Sequence, residues 1–219
     1  MTYLELVNKV LTRLREDTVL TVNQNNYSAL VGEFVNDAKE FVENAWDWSV
    51  YYKQITENTS NGVSTVDLTG TNDYTTIESA LLYKSGGITD PLIYRDRAWM
   101  TDAAYQALGS NARGQPKYWT VFRLDNGELE ILLHPRPDAT YNLIFNVYDR
   151  PDTLVDDSDS ITVPSKPVIM LATAFASRER GETGGISSQE LFSIADKALS
   201  DAIAVDANRA PEKLLYRAV

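Results

Sequence analysis

Residues Ser28 to Val50, SALVGEFVNDAKEFVENAWDWSV, constrain the fold more than any other stretch of the chain. Large apolar side chains recur at Leu30, Val31, Phe34, Val35, Phe41, Val42 and Trp46, and Ala38 and Ala45 complete the stripe. That recurrence has the period of an amphipathic helix; a half-buried strand would alternate every second residue. The opposite face carries Glu33, Asp37, Glu40, Glu43 and Asp47, with Lys39 as its single base. The spacing predicts a strut about 34 Å long at the rise of an α-helix. Five carboxylates strung along one helix read as a solvated face rather than a catalytic one.

The strut has helical company on both sides in sequence. Thr2 and Glu5 are spaced as a capping box, and Val7, Val10, Leu11 and Leu14 continue the stripe of a first helix. A polar link, Thr18 to Asn26, follows, with Asn26 or Ser28 as the expected cap of the strut. The two helices are expected to pack antiparallel. Helical spacing returns after Pro164, with Val168 to Arg180 closed by Gly181. Ser187 and Glu190 read as a second capping box, ahead of a stripe through Leu191, Ile194, Ala195, Ala198, Leu199, Ala202 and Ile203.

Between these pairs the period changes. Val63–Leu68, Thr76–Lys84, Ile88–Arg95 and Tyr141–Tyr148 are strand-like runs bounded by turn residues. Tyr118 to Leu133 is a hairpin around Asp125-Asn126-Gly127. A short helix, Asp96 to Leu108, is expected with Asp96 at its N-cap. The strands predict one antiparallel sheet or a small sandwich. The fold class is therefore α+β: an antiparallel helical bundle of two N-terminal and two C-terminal helices (1–50 and 165–204), a β-rich insertion (51–164) and an extended C-terminal tail (205–219). The tail carries Leu214, Leu215, Tyr216 and Val219 beyond the last regular element, apolar residues suited to binding a partner chain.

Composition removes several kinds of chemistry. A net charge of −11 opposes holding phosphates by electrostatic attraction, and the basic residues are scattered, with Arg95 and Arg97 the nearest approach to a patch. Cysteine is absent, which excludes disulfides and thiol nucleophiles and suits a reducing compartment. No basic stretch with a following apolar run marks a secretory leader, and no run is long enough for a membrane span. His134, alone of its kind and followed by Pro135, has no second histidine for a metal site and no marked serine beside it. Asp152, Asp156, Asp157 and Asp159 form the densest acidic cluster, but the EF-hand glycine and distal glutamate are missing. The aromatic run Trp46, Trp48, Tyr51 and Tyr52 fits a junction core better than a stacking platform. No catalytic residue, cofactor or metal is expected. Two other readings stay open: a cell-wall-degrading glycosidase working through a carboxylate pair among the 31 acids, and a carbohydrate- or nucleic-acid-binding module built on the aromatic run.

Two blocks in order resemble a known family. The first is the helix pair ending in Asn44-Ala45-Trp46-Asp47-Trp48. The second opens with Gly114-Gln115-Pro116-Lys117-Tyr118-Trp119, passes Gly127-Glu128-Leu129 and reaches Leu133-His134-Pro135-Arg136-Pro137-Asp138. It continues through Tyr141-Asn142-Leu143, Tyr148-Asp149-Arg150-Pro151, Asp156-Asp157-Ser158-Asp159 and Val163-Pro164. This succession resembles the head-to-tail adaptor (connector, or tail tubular) proteins of tailed bacteriophages. The resemblance implies a structural virion protein in the neck between head and tail, assembled in the host cytoplasm. It implies a homo-oligomeric ring of about twelve copies, which needs two faces per subunit that close on themselves. The implied partners are the portal protein, a tail nozzle or tail tube protein, and double-stranded DNA passing through the lumen without specific binding. A lumen lined with carboxylates would repel that DNA.

Overall fold

The computed structural model describes residues 1–84, 88–107, 113–181 and 188–209. The chain divides into a helical unit, Met1–Val50 with Thr153–Val219, and a β-rich unit, Tyr51–Asp152. It is α+β, with five helices and two sheets among the described residues.

In the helical unit, α1 (Tyr3–Arg13) starts on the expected capping box. The Thr2 Oγ1 accepts from the Glu5 amide at 3.2 Å, and the Thr2 amide donates back to Glu5 Oε2 at 3.0 Å. Leu6, Val7, Val10 and Leu11 are buried along one side. The strut is α2 (Asn26–Asn44), and its cap is Asn25 rather than Asn26 or Ser28. Asn25 has extended backbone (φ −148°), so its side chain reaches the Ser28 amide at 2.8 Å. Ser28 is then the reciprocal member of the box, accepting from the Asn25 amide at 3.2 Å.

The buried side of α2 also departs from the apolar stripe. Val31, Val35, Ala38 and Val42 are buried as expected, but Leu30 and Phe41 face outward at 36% and 50% exposure. Lys39 and Glu43, placed by sequence on the wet face, are buried and joined at 3.0 Å one helical turn apart. A charge pair out of water persists only when closely matched.

The helix α4 (Ser165–Glu179) packs against α1, α2 and the last helix, α5 (Ser188–Ala207). Val168, Leu171, Ala172 and Ala176 are among its buried residues. Phe175 bridges two neighbours: its ring centroid lies 6.4 Å from Phe34 on α2 and 5.7 Å from Phe192 on α5. Ser187 lies outside the described residues, so the second capping box does too.

Two asparagines hold the irregular stretches of this unit. Asn36 on α2 donates to the Leu154 carbonyl and accepts from the Leu154 amide, both at 3.0 Å. Asn8 on α1 treats Val19 the same way, at 2.9 and 2.7 Å. A side-chain amide carries both a donor and an acceptor, so each replaces the missing backbone partner of an isolated peptide.

In the β-rich unit, β1 (Tyr52–Asn58), β8 (Asn142–Tyr148), β3 (Thr76–Lys84) and β4 (Ile88–Pro91) form one sheet in that order. The second runs β2 (Thr65–Leu68), β7 (Leu129–His134), β6 (Tyr118–Arg123), β5 (Ile93–Tyr94). All pairings are antiparallel except β5 with β6. Leu82, Leu143, Phe145 and Val147 of the first sheet share a core with Leu68, Trp119, Ile131 and Leu133 of the second, the sandwich alternative. Tyr118 to Leu133 is the expected hairpin. Its turn closes with Gly127 at φ +88°, a conformation that a side chain disfavours. The strand β1 is not among those expected from the sequence. Ile55 is its only aliphatic residue, and the strand lies at a sheet edge against β8 alone, so it has no apolar alternation to show. The helix α3 (Arg97–Ala107) starts at Asp96, whose Oδ1 accepts the Trp99 amide at 2.9 Å.

Candidate assembly surfaces

The cluster at residues 152–159 is built into the chain's turns. Asp159 Oδ2 accepts the amides of Val155 and Asp156, both at 2.8 Å, and these bonds hold its carboxyl below the usual range. Asp157 Oδ1 accepts the Val22 amide at 2.9 Å. The backbone carbonyls of Asp157 and Asp159 accept from Leu4 and Tyr3. Burial, with Glu33 and Asp157 nearby, pushes the Tyr3 phenol up to about 12. These acids tie the first turn of α1 to the segment before α4. Among the described residues no group of three or more His, Cys, Asp or Glu is placed to hold a metal ion. No described helix is long and apolar enough to cross a membrane.

The aromatic run divides by role. Trp48 is buried and its indole donates to the Val42 carbonyl at 2.8 Å, closing the end of α2. Trp46 is 38% exposed, and its indole donates to Asp206 of α5 at 3.2 Å. Asp206 also accepts from the Ser49 amide at 2.9 Å and the Ser49 hydroxyl at 2.7 Å. Burial alone would raise this carboxyl; the Ser49 and Trp46 bonds and Arg209 outweigh it and leave it lowered. In the β-rich unit Tyr51 and Tyr52 both meet Tyr148 edge-on. Sequence spacing carried no sign of Asp206, because its partners lie 157 and 160 residues away.

His134 is half-buried among rings, 6.5 Å from Tyr118 and 6.0 Å from Trp99, and burial lowers its pKa, so the neutral imidazole is favoured. The predicted partner-binding residues Leu214, Leu215, Tyr216 and Val219 lie outside the described residues.

Three surfaces have the character of contacts. An open groove of about 500 Å³ beside the end of α5 is lined by Trp48, Val50, Pro164, Ala198, Ala202 and Val205 among others. Along α2, Leu30, Glu33, Asp37, Glu40 and Phe41 make one exposed face, and its three acids border a depression of about 360 Å³. The third lies on the β-rich unit. There α3 buries Met100 but leaves Arg97, Ala98, Trp99, Thr101, Ala104 and Tyr105 exposed. Beside it, Ile93 and Tyr94 of edge strand β5 are 49% and 54% exposed. The Arg95 guanidinium stands 5.4 Å from the centroids of both Trp99 and Tyr118, and Arg97 lies 4.6 Å from that of Phe122. Arginine held on aromatic rings is the composition of binding hot spots.

Comparison with known proteins gives one assignment. A solved neck of an empty GTA particle, computed with C6 symmetry, is similar at 14% identity, covering 86% of this chain and 87% of that one, with a TM-score of 0.28. That score is too low to support any inference about this chain. No curated protein matches. The family model described as SU10 adaptor protein matches residues 1–218. The chain therefore belongs to the SU10 adaptor protein family.

Proposed function

We propose that this protein is a structural component of a phage-like virion: a head-to-tail adaptor that closes into a ring between portal and tail. Family membership over residues 1–218 is the observation that carries this reading. The ring holds about twelve copies, the number the resemblance implies, joined by two different faces that close on rotation. It sits in the virion neck after assembly in the host cytoplasm, meets a tail nozzle or tail tube below, and forms part of the wall of the DNA conduit. The charge of −11 suits that wall, since carboxylates facing the lumen keep phosphates from sticking. The protein needs no cofactor and has no catalytic role. In support, two acids of the densest cluster, Asp157 and Asp159, accept backbone amides, and the lone histidine sits among aromatic rings.

The helical bundle forms the body of each subunit, and the C-terminal tail anchors it to the portal through Leu214, Leu215, Tyr216 and Val219. The test is co-sedimentation with purified portal rings, comparing the full chain with a Leu214→Asp/Tyr216→Asp variant of unchanged circular dichroism. The expected result is binding weakened about a hundredfold, the scale of two buried apolar anchors lost. Undiminished binding would remove the tail from the contact.

A further inference from the structure

We infer that the exposed face of α3 and β5 docks on the acidic face of α2 of a second copy of this chain. The inference rests on the ring proposed above and names the contact that joins its members. Two observations point to it from opposite sides.

The first is that α3 is a helix without a self-contained reason to be presented as it is. Helices in folded chains gain most of their stability from burying an apolar face. Here Met100 is the buried anchor, while Trp99 and Tyr105 stand 37% and 68% exposed. The adjoining cations are Arg95, Arg97 and Lys117, all exposed. Neither Arg95 nor Arg97 has a carboxylate partner among the described residues; both lie over rings. Asp96 in the same patch is occupied by the Trp99 amide, and Asp102 lies six residues further along, on α3. Stacking pre-orders the arginines, so less freedom is lost when a carboxylate arrives.

The second is the reciprocal surplus on α2. Glu33, Asp37 and Glu40 repeat at helical spacing on one exposed face, and none has a basic partner among the described residues. Leu30 and Phe41 lie toward the ends of that face, one apolar contact on either side of the acids. A basic–aromatic patch and an acidic face with apolar ends are complementary in charge and in chemistry. Because the two surfaces differ, the contact is heterologous, the kind that propagates around a ring.

The absence of cysteine gives a clean background for a direct test. Ala98→Cys and Phe41→Cys are made in separate full-length chains, which are mixed and treated with a short bifunctional thiol reagent, alone at high concentration and on portal rings. The contact predicts a covalent dimer in the mixture and none in either variant by itself. Cross-linking of Ala98→Cys to itself would overturn it. A second arm reverses charge: Arg95→Glu/Arg97→Glu should weaken self-association about tenfold or more in low salt. Adding Glu33→Lys/Glu40→Lys to that same chain should restore it. Rings seen by electron microscopy without the cross-link overturn this contact and leave the ring standing, with the α2 acids free to face the lumen. If no oligomer forms alone or on portal, the ring and this contact fall together.

Discussion

Gly32 shows how closely single residues set the helical unit. A methyl group there would lie 2.5 Å from the Tyr3 hydroxyl and 2.8 Å from Val22 Cγ1, so α2 passes α1 and the following loop only because no side chain intervenes. Alanine is the better helix former by up to about 1 kcal/mol, but overpacking a closed site costs about 1–3 kcal/mol. Overpacking prevails, and Gly32→Ala should destabilise by about 1–2 kcal/mol in urea denaturation. In a Tyr3→Phe background the hydroxyl is gone and the penalty should shrink by at least about 0.5 kcal/mol, the size of a direct coupling. Equal penalties in the two backgrounds would mean that Tyr3 is not what the methyl meets. Nothing in the sequence marks this glycine, nor the clamps at Asn8 and Asn36, because each acts on a residue brought near only by folding.

Among the elements, α5 is held at its end by one carboxylate. Asp206 ties it to Trp46 and Ser49, which follow α2. Its folded pKa lies below the ordinary value of about 3.9. The unfolded chain therefore takes up the proton first as pH falls. The stabilisation is complete above the unfolded value and disappears as pH drops through the lower folded one. Asp206→Asn should cost about 1–2 kcal/mol at neutral pH, as expected for hydrogen bonds to a charged group, and progressively less below about pH 4. A difference between the two proteins that stays constant down to pH 3 would contradict this. Periodicity made most elements legible: the box at Thr2 and Glu5, the Asn-Gly hairpin, and Leu143, Phe145 and Val147 facing the core of β8. It failed where burial is not apolar. Lys39 and Glu43 go inside as a pair while Leu30 and Phe41 stay out, and β1 is polar because an edge strand needs little more than its backbone.

For the molecule as a whole, the family was legible because motif order survives where single motifs are weak, and residues 1–218 match it. The faces proposed to meet were not. The sequence places a helix over Asp96 to Leu108 without saying which side is buried; the fold buries Met100 and leaves Trp99 and Tyr105 37% and 68% exposed. Likewise, the acids of α2 became a distinct surface only once Glu43 was withdrawn from it. The proposed function requires that this chain assemble with copies of itself at a portal. Electron microscopy of the full-length protein mixed with purified portal rings tests it most directly. The expected result is an added collar of density with one subunit contacting the next around a closed ring; portal rings that remain bare, with the protein left free as monomers, would refute the adaptor reading.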